Sequence, residues 1–354
     1  MTMKLDDYRL LGRSGLRVSP LALGTMTFRV GNGASWGSTD EEARAMVDMF
    51  IDRGGNFIDT ADFYGQMGQS EVLLGEIVKG RRDSLVISTK YSLTTEPGNP
   101  NAAGNHRKNM MKSVEDSLRR MQTDYIDLLY LHMWDFRTPV DEILRGFDDL
   151  VRSGKVLYIG LSDTPAWQAS RMQAIAELRG WTQFCALQIP YSLVERTVER
   201  EMIPMAKEMG LGVSPWAPLG QGMLTGKYTR DDLQTGDMSD ISSRKAINAV
   251  TGKLTERNLD IADVAVAVAK EIGCTPAQLA VAWTLKNPTV ASPVVGVRTP
   301  AQLEDNLGAL DMVISDEQMA RLDEVSAVPK VFPMDVLKSP AEAMMFGGVK
   351  VVER

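Results

Sequence analysis

Residues 18–37 read VSPLALGTMTFRVGNGASWG. The run to Met26 is nearly all apolar, as expected of a strand covered on both faces. The glycine-containing stretch after Met26 decides between two architectures that both alternate strands with helices. A doubly wound sheet of the dinucleotide-binding kind carries G-x-G-x-x-G after its first strand. Gly31, Gly33 and Gly37 do not fit that spacing. The expectation is the rival architecture, a (β/α)8 TIM barrel of the α/β class.

Seven more apolar, β-branched runs come after the first. They are NFIDTA (56–61), LVISTKY (85–91), IDLLYLH (126–132), VLYIGLSD (156–163), FCALQIPYS (184–192), GLGVSPWAP (210–218) and VASPVVGV (290–297). Between them lie segments of 3.6-residue periodicity: TDEEARAMVDMFIDRG, KNMMKSVEDSLRRMQ, TPVDEILRGFDDLVRSG and TVEREMIPMAKEMG. The first opens with Thr39 and has Glu42 three residues on, a capping box. Eight strand–helix units in about 300 residues match the size of one barrel. Residues 1–354 are read as a single barrel domain. YRLLGRSGLRVS (8–19) is expected to form a β-hairpin across the barrel floor, turning at Ser14-Gly15. The long polar segments 92–108 and 220–253 are placed as βα loops at the C-terminal face, and 331–354 as a tail near the mouth.

Hydrophobic residues make up 44% of the chain and charged ones 24%, enough to bury a sizeable core. Lys and Arg number 39 against 46 Asp and Glu, a net charge of −7, which argues against nucleic acid or an anionic membrane as the main partner. No basic region with an apolar one after it opens the sequence, so no signal peptide is expected, and no uncharged run reaches the roughly 18 residues of a membrane span. Cys185 and Cys274 are read as reduced thiols. With His106 and His132 as the only histidines, a transition-metal site is not expected. The reading is a cytoplasmic protein acting on a small molecule, with its oligomeric state open.

The apolar runs turn polar at their C-terminal ends: Asp59, Lys90, His132, Ser162-Asp163, then Gln188 with Tyr191, and Trp216. In a barrel these converge on one mouth. Each has a plainer explanation: Asp59 as a turn cap, Lys90 reaching to solvent, His132 as a core histidine, Tyr64 packing on the rim. Together they make a proton-donating unit. An ammonium from Lys90 would lower the pKa of the Tyr64 phenol, Asp59 would hold that ammonium, and His132 would orient a carbonyl oxygen. Hydride must then come from a cofactor. Asp62 is left as a turn cap.

NFIDTADFYG, ISTK, LYLH, GLSD and VSPWAPLGQGMLTGKY resemble the aldo-keto reductase superfamily, over about residues 8–325. GNHRKNM, TDYIDLLYLHMWD and GKVLYIGLSDTPAW look most like its aryl-alcohol-dehydrogenase-like branch. The resemblance implies a barrel that binds NADP(H) in extended form and reduces an aldehyde or ketone, reversibly, with Tyr64 as general acid in an Asp59–Tyr64–Lys90–His132 tetrad. It assigns the nicotinamide carboxamide to Ser162, Asp163 and Gln188, and the ring-stacking aromatic to Trp216. Ala217, Pro218, Leu219, Gly220, Gly222 and Lys227 fall in the pyrophosphate segment, and Gly24, Thr25 and Met26 at the first strand end. Gly296, Arg298, Gln302, Asp305 and Asn306 match the segment gripping the adenosine and its 2′-phosphate.

Two positions depart from the pattern. Asp163 stands where much of the superfamily has asparagine, and a carboxylate can accept from an amide but cannot donate. Gly296 and Gln302 replace basic residues used elsewhere near the 2′-phosphate, which leaves Arg298 as the main phosphate partner. Phe28, Trp36, Met133 and Trp134 are taken as substrate-pocket walls. The alternatives are a cofactor-sensing regulatory subunit, as in channel-associated members of the superfamily, and a lyase using Lys90 as a Schiff-base nucleophile.

Overall fold

A computed structural model describes residues 2–30, 37–234, 245, 248–249, 251–337 and 344–349. An antiparallel hairpin comes first, β1 (Arg9–Leu10) and β2 (Arg17–Val18). Eight parallel strands then form one sheet: β3 (Ala22–Gly24), β4 (Phe57–Asp59), β5 (Val86–Tyr91), β6 (Ile126–Leu131), β7 (Val156–Ser162), β8 (Ala186–Gln188), β9 (Gly212–Val213) and β10 (Val294–Gly296). Their spatial order is β10-β3-β4-β5-β6-β7-β8-β9. The two ends meet: the Val213 amide donates to Thr289 O (2.9 Å), Ala291 N to Val213 O (2.8 Å) and Val294 N to Pro215 O (2.8 Å). Helices alternate with the strands, and the fold is a (β/α)8 barrel.

The strands alternate their side chains between two apolar clusters, as the two-residue period of a strand requires. Leu23, Ile58, Ile87 and Leu129 point outward under the helices. Ala22, Phe57, Val86, Leu128, Tyr130 and Ala186 fill the inside, where Leu11 and Val18 of the hairpin join them. The hairpin therefore plugs the floor. Gly12 there has φ +58°, and a Cβ on it would lie 2.3 Å from Cys185 O. Two residues further along each strand, the inner face passes from apolar to polar: Phe57 to Asp59, Val86 to Ser88 and Lys90, Tyr130 to His132, Ala186 to Gln188. The site is thus the top layer of the barrel interior. Gly160 on β7 has no side chain because the Tyr130 ring fills that space, 2.4 Å from where a Cβ would sit.

Helix α1 (Asp40–Asp52) has the expected Thr39–Glu42 capping box, with both reciprocal hydrogen bonds present. α2 (Tyr64–Ile77) begins at the expected proton donor itself. α3 (Arg107–Met121) and α4 (Val140–Arg152) match the sequence pattern, and α5 (Ala166–Arg179) follows β7. α6 (Met202–Met209) starts later than the periodicity indicates, after a separate 3-10 turn at Thr197–Glu199. Pro204 explains this: without an N–H it fits only the first helical turn. The 220–253 segment opens with 3-10 helices at Gly220–Thr225 and Arg230–Gln234, and much of its remainder lies outside the described residues. Among the described residues no single helix is long and apolar enough to cross a membrane.

Candidate active site

Asp59, at the end of β4, is 2% exposed and its carboxylate ties three strands together. Oδ2 accepts from Lys90 Nζ of β5 at 2.6 Å, while Oδ1 accepts from Ser88 Oγ (2.7 Å) and from Gln188 Nε2 of β8 (2.9 Å). Lys90 Nζ is fully buried, and its other two contacts are Thr60 O at 2.8 Å and the Tyr64 hydroxyl at 3.4 Å. The His132 ring stands edge-on to Tyr64, 81° between planes and 5.9 Å between centroids. The four residues read from separate strand ends therefore form one contiguous group.

Burial opposes the charge on Lys90, but Asp59 and Tyr64 outweigh it and hold the ammonium above its ordinary range. The phenol behaves differently from the sequence expectation. Burial raises the Tyr64 pKa, and Lys90 only partly offsets this while Asp59 and Asp163 add to it. The offset is partial because the ammonium is drawn to Asp59 and stands 0.8 Å farther from the phenol. Tyr64 consequently keeps its proton at neutral pH. It can still give that proton to an alkoxide, a stronger base, with Lys90 in reach of the phenolate left behind. His132 is pushed down to about 3, by burial first and then by Lys90, so the imidazole is neutral.

Ser162 lies level with Gln188 in the β7–β8 register, and Asp163 comes next with φ 33°. Asp163 Oδ1 accepts from the Trp216 indole Nε1 at 3.2 Å. Past Trp216 the backbone turns left-handed at Ala217, Gly220 and Gly222, and a Cβ on Gly222 would meet Lys227 Nζ at 2.9 Å. Leu219 immediately precedes the 3-10 turn Gly220–Thr225, and Pro218 is buried. Gly24 ends β3, Thr25 Oγ1 accepts from Ser70 Oγ at 2.8 Å, and Met26 is 37% exposed. Gly296 ends β10, and the Arg298 amide donates to Gln302 Oε1 at 3.0 Å. Asp305 is turned away to accept from Thr275 Oγ1 at 3.0 and 3.1 Å. Asn306 is buried, and its Nδ2 meets no acceptor among the described residues. That orphaned donor, glycine backbone open to close approach, and an arginine nearby fit an adenine dinucleotide. Among the described residues no cluster of side chains could hold a metal ion.

Other expectations need correction. Phe28 is completely buried in the outer core, so it fills the first loop and is not a pocket wall. Trp36 lies outside the described residues. Trp134 is 6% exposed, and its ring meets the exposed Phe136 edge-on at 6.4 Å, while Met133 is exposed. Tyr191 does not join the mouth: its hydroxyl donates to Glu199 and its ring packs on Trp283. Asp62 caps no turn. Both its oxygens are buried without a well-formed hydrogen bond, and burial, then the charge of Glu71, raises its pKa well above the usual carboxylate value against weaker opposition from Arg120 and the Ser113 hydroxyl. Phe63 after β4, Met67 at the start of α2 and Phe136 after β6 are exposed apolar side chains that the sequence reading did not single out.

The aldo/keto reductase family model matches residues 20–327. A norsolorinic acid reductase of Emericella nidulans is 39% identical over 342 residues, covering 93% of this chain and 84% of its own length. An NADP(+) aryl-alcohol dehydrogenase of Phanerodontia chrysosporium is 36% identical over 93% of this chain and 88% of its own. An uncharacterized oxidoreductase of Bacillus subtilis, YrpG, is 38% identical over 91% and 97%. With its barrel, its inner-face polar layer and a match spanning most of its length, the chain belongs to the aldo/keto reductase family of oxidoreductases.

Proposed function

We propose that the chain reduces an aldehyde or ketone to the alcohol with NADPH, reversibly, and that Tyr64 is the general acid. The observation that carries this reading is Lys90 Nζ, fully buried, 2.6 Å from Asp59 and 3.4 Å from the Tyr64 hydroxyl. A bound nicotinamide would supply the hydride that no side chain can. Tyr64 gives its proton to the carbonyl oxygen as that oxygen gains charge, and Lys90 stabilises the phenolate. Asp59 keeps the lysine charged and in place. Neutral His132 orients the carbonyl by a hydrogen bond, without competing as an acid.

In this reading Ser162, Gln188 and Trp216 hold the nicotinamide end. The amide nitrogen of Gln188 is engaged by Asp59, so its oxygen is the group left to accept. Gly24, Thr25, Met26 and the 217–227 turn serve the middle of the cofactor, with Lys227 against the pyrophosphate. Arg298, Gln302, Asn306, Gly296 and Asp305 serve the adenosine end, where Arg298 favours a 2′-phosphate. Exposed Met133, Phe63, Met67 and Phe136 suit an apolar or aromatic substrate, in keeping with the aryl-alcohol dehydrogenase among the relatives. The same reading takes residues 1–354 as one barrel domain, working in the cytoplasm on a small molecule.

The test is NADPH oxidation by the purified protein across a panel of aromatic aldehydes and ketones. Turnover with NADPH, and weaker turnover with NADH, is expected. Tight NADPH binding with no turnover on any carbonyl would contradict the reading and favour a cofactor-sensing role.

A further inference from the structure

Asp163 is an acid at the mouth with no part in the proton-donating group. It is held firmly: Oδ1 accepts from Trp216 Nε1 at 3.2 Å, its backbone oxygen accepts from Trp134 N at 3.4 Å, and its φ of 33° is unusual for any residue but glycine. Among the described residues no second side chain donates to its carboxyl. Burial raises the Asp163 pKa, opposed by the Trp216 hydrogen bond and by the charge of Lys90, and the carboxylate in turn adds to the rise at Tyr64. The carboxylate therefore sits at the edge of the Trp216 ring, in electrostatic range of the phenol that would protonate the substrate. Asparagine would fill the same space and accept the same indole hydrogen bond. What aspartate adds is a negative charge.

That charge distinguishes the two forms of a nicotinamide, because the oxidised ring is a cation and the reduced ring is neutral. We propose that Asp163 tunes the bound cofactor, stabilising oxidised over reduced nicotinamide and so making bound NADPH the stronger hydride donor. The inference rests on the cofactor reading above and adds to it a charge-selecting residue. In the reductive direction a hydride, carrying both electrons, passes to the carbonyl carbon and the Tyr64 proton to its oxygen. Asp163 would stabilise the positive charge that an oxidised nicotinamide carries once the alcohol has formed. The same carboxylate makes NADP+ slower to leave.

The test is separate calorimetric titration of NADP+ and NADPH into wild type, Asp163→Asn and Trp216→Phe at fixed pH and low salt. In Asp163→Asn the ratio Kd(NADP+)/Kd(NADPH) should rise about fivefold to tenfold, tenfold being about 30 mV in the potential of the bound couple. Trp216→Phe removes the indole donor and keeps the charge. It should weaken both ligands and leave the ratio within about twofold of wild type, the scatter expected when charge is unchanged. An unchanged ratio in Asp163→Asn, with both ligands still binding, overturns the proposal. So does an equal change in Trp216→Phe, which would mean that ring placement and not charge sets the preference. Failure of wild type to bind either nucleotide would instead overturn the functional reading on which this one stands.

Discussion

Lys90 Nζ directs its contacts to Asp59, Thr60 and Tyr64 from a position with no exposure to solvent. Removing one partner of a buried ion pair leaves the other charge uncompensated. Lys90→Met should cost about 3–5 kcal/mol in denaturant unfolding, more than the loss of an apolar contact. An unchanged midpoint would mean that the Lys90–Asp59 pair adds nothing to stability. His132 makes a prediction with a sign. Its folded pKa of about 3 lies below the unfolded value of about 6.5. The unfolded chain therefore takes up a proton that the folded chain refuses, so stability falls as pH is lowered from about 6.5 toward 3, and nothing is contributed above that window. Wild type should lose more stability than His132→Asn between pH 7 and 5, measured by urea midpoints. Asp59, Lys90 and His132 were legible as single polar residues closing apolar runs. The rise in the Tyr64 pKa was not, because it comes first from the burial of the phenol in the folded protein, with the ammonium that would offset it held closer to Asp59.

The segment that carries Tyr64 continues into an uncommon element. Gly65, Gln66, Met67 and Gly68 all have positive φ, a single left-handed turn before α2 becomes right-handed. Left-handed backbone costs a residue with a Cβ roughly 1–2 kcal/mol. Among the described residues, all the other non-glycine residues of positive φ except Gln122 likewise lie on loops after the strand ends: Arg29, Ser92, Phe136, Asp163, Ala217 and Gln221. Strain gathered on one face of a fold is a mark of function there. A Cβ on Gly65 would meet Ser70 N at 2.5 Å and Phe28 O at 2.6 Å, both rigid backbone atoms. Gly65→Ala should therefore displace Tyr64 and lower kcat, while Gln66→Gly should raise stability by up to about 1 kcal/mol. Loss of stability in Gln66→Gly would show that the turn is unstrained. The glycines at 65 and 68 were visible in the sequence, but Gln66 and Met67 carry no sign of such a backbone. The strands and helices themselves were readable from period and caps, with α6 corrected by a proline in its first turn.

The barrel as a whole organises this chemistry by stacking an apolar plug beneath a polar layer. The hairpin and the inner residues Phe57, Val86, Leu128 and Tyr130 close the floor, so Asp59, Lys90 and Gln188 lie on top in a site screened from water below. Eight apolar runs and the missing glycine fingerprint were enough to choose this architecture, since each strand is named by its own residues. Which loop residues face inward was harder. Phe28 looked like a wall and is core, because the packing of a loop against the next helix is decided by residues remote in sequence. In the proposed function the barrel presents Tyr64 as the proton donor to a carbonyl reduced by NADPH. The most direct test of that role is single-turnover NADPH oxidation on an aromatic aldehyde by wild type and Tyr64→Phe, with NADPH affinity measured on both. The rate should be at least about 100-fold lower in Tyr64→Phe at unchanged affinity. Equal rates in the two proteins would contradict it.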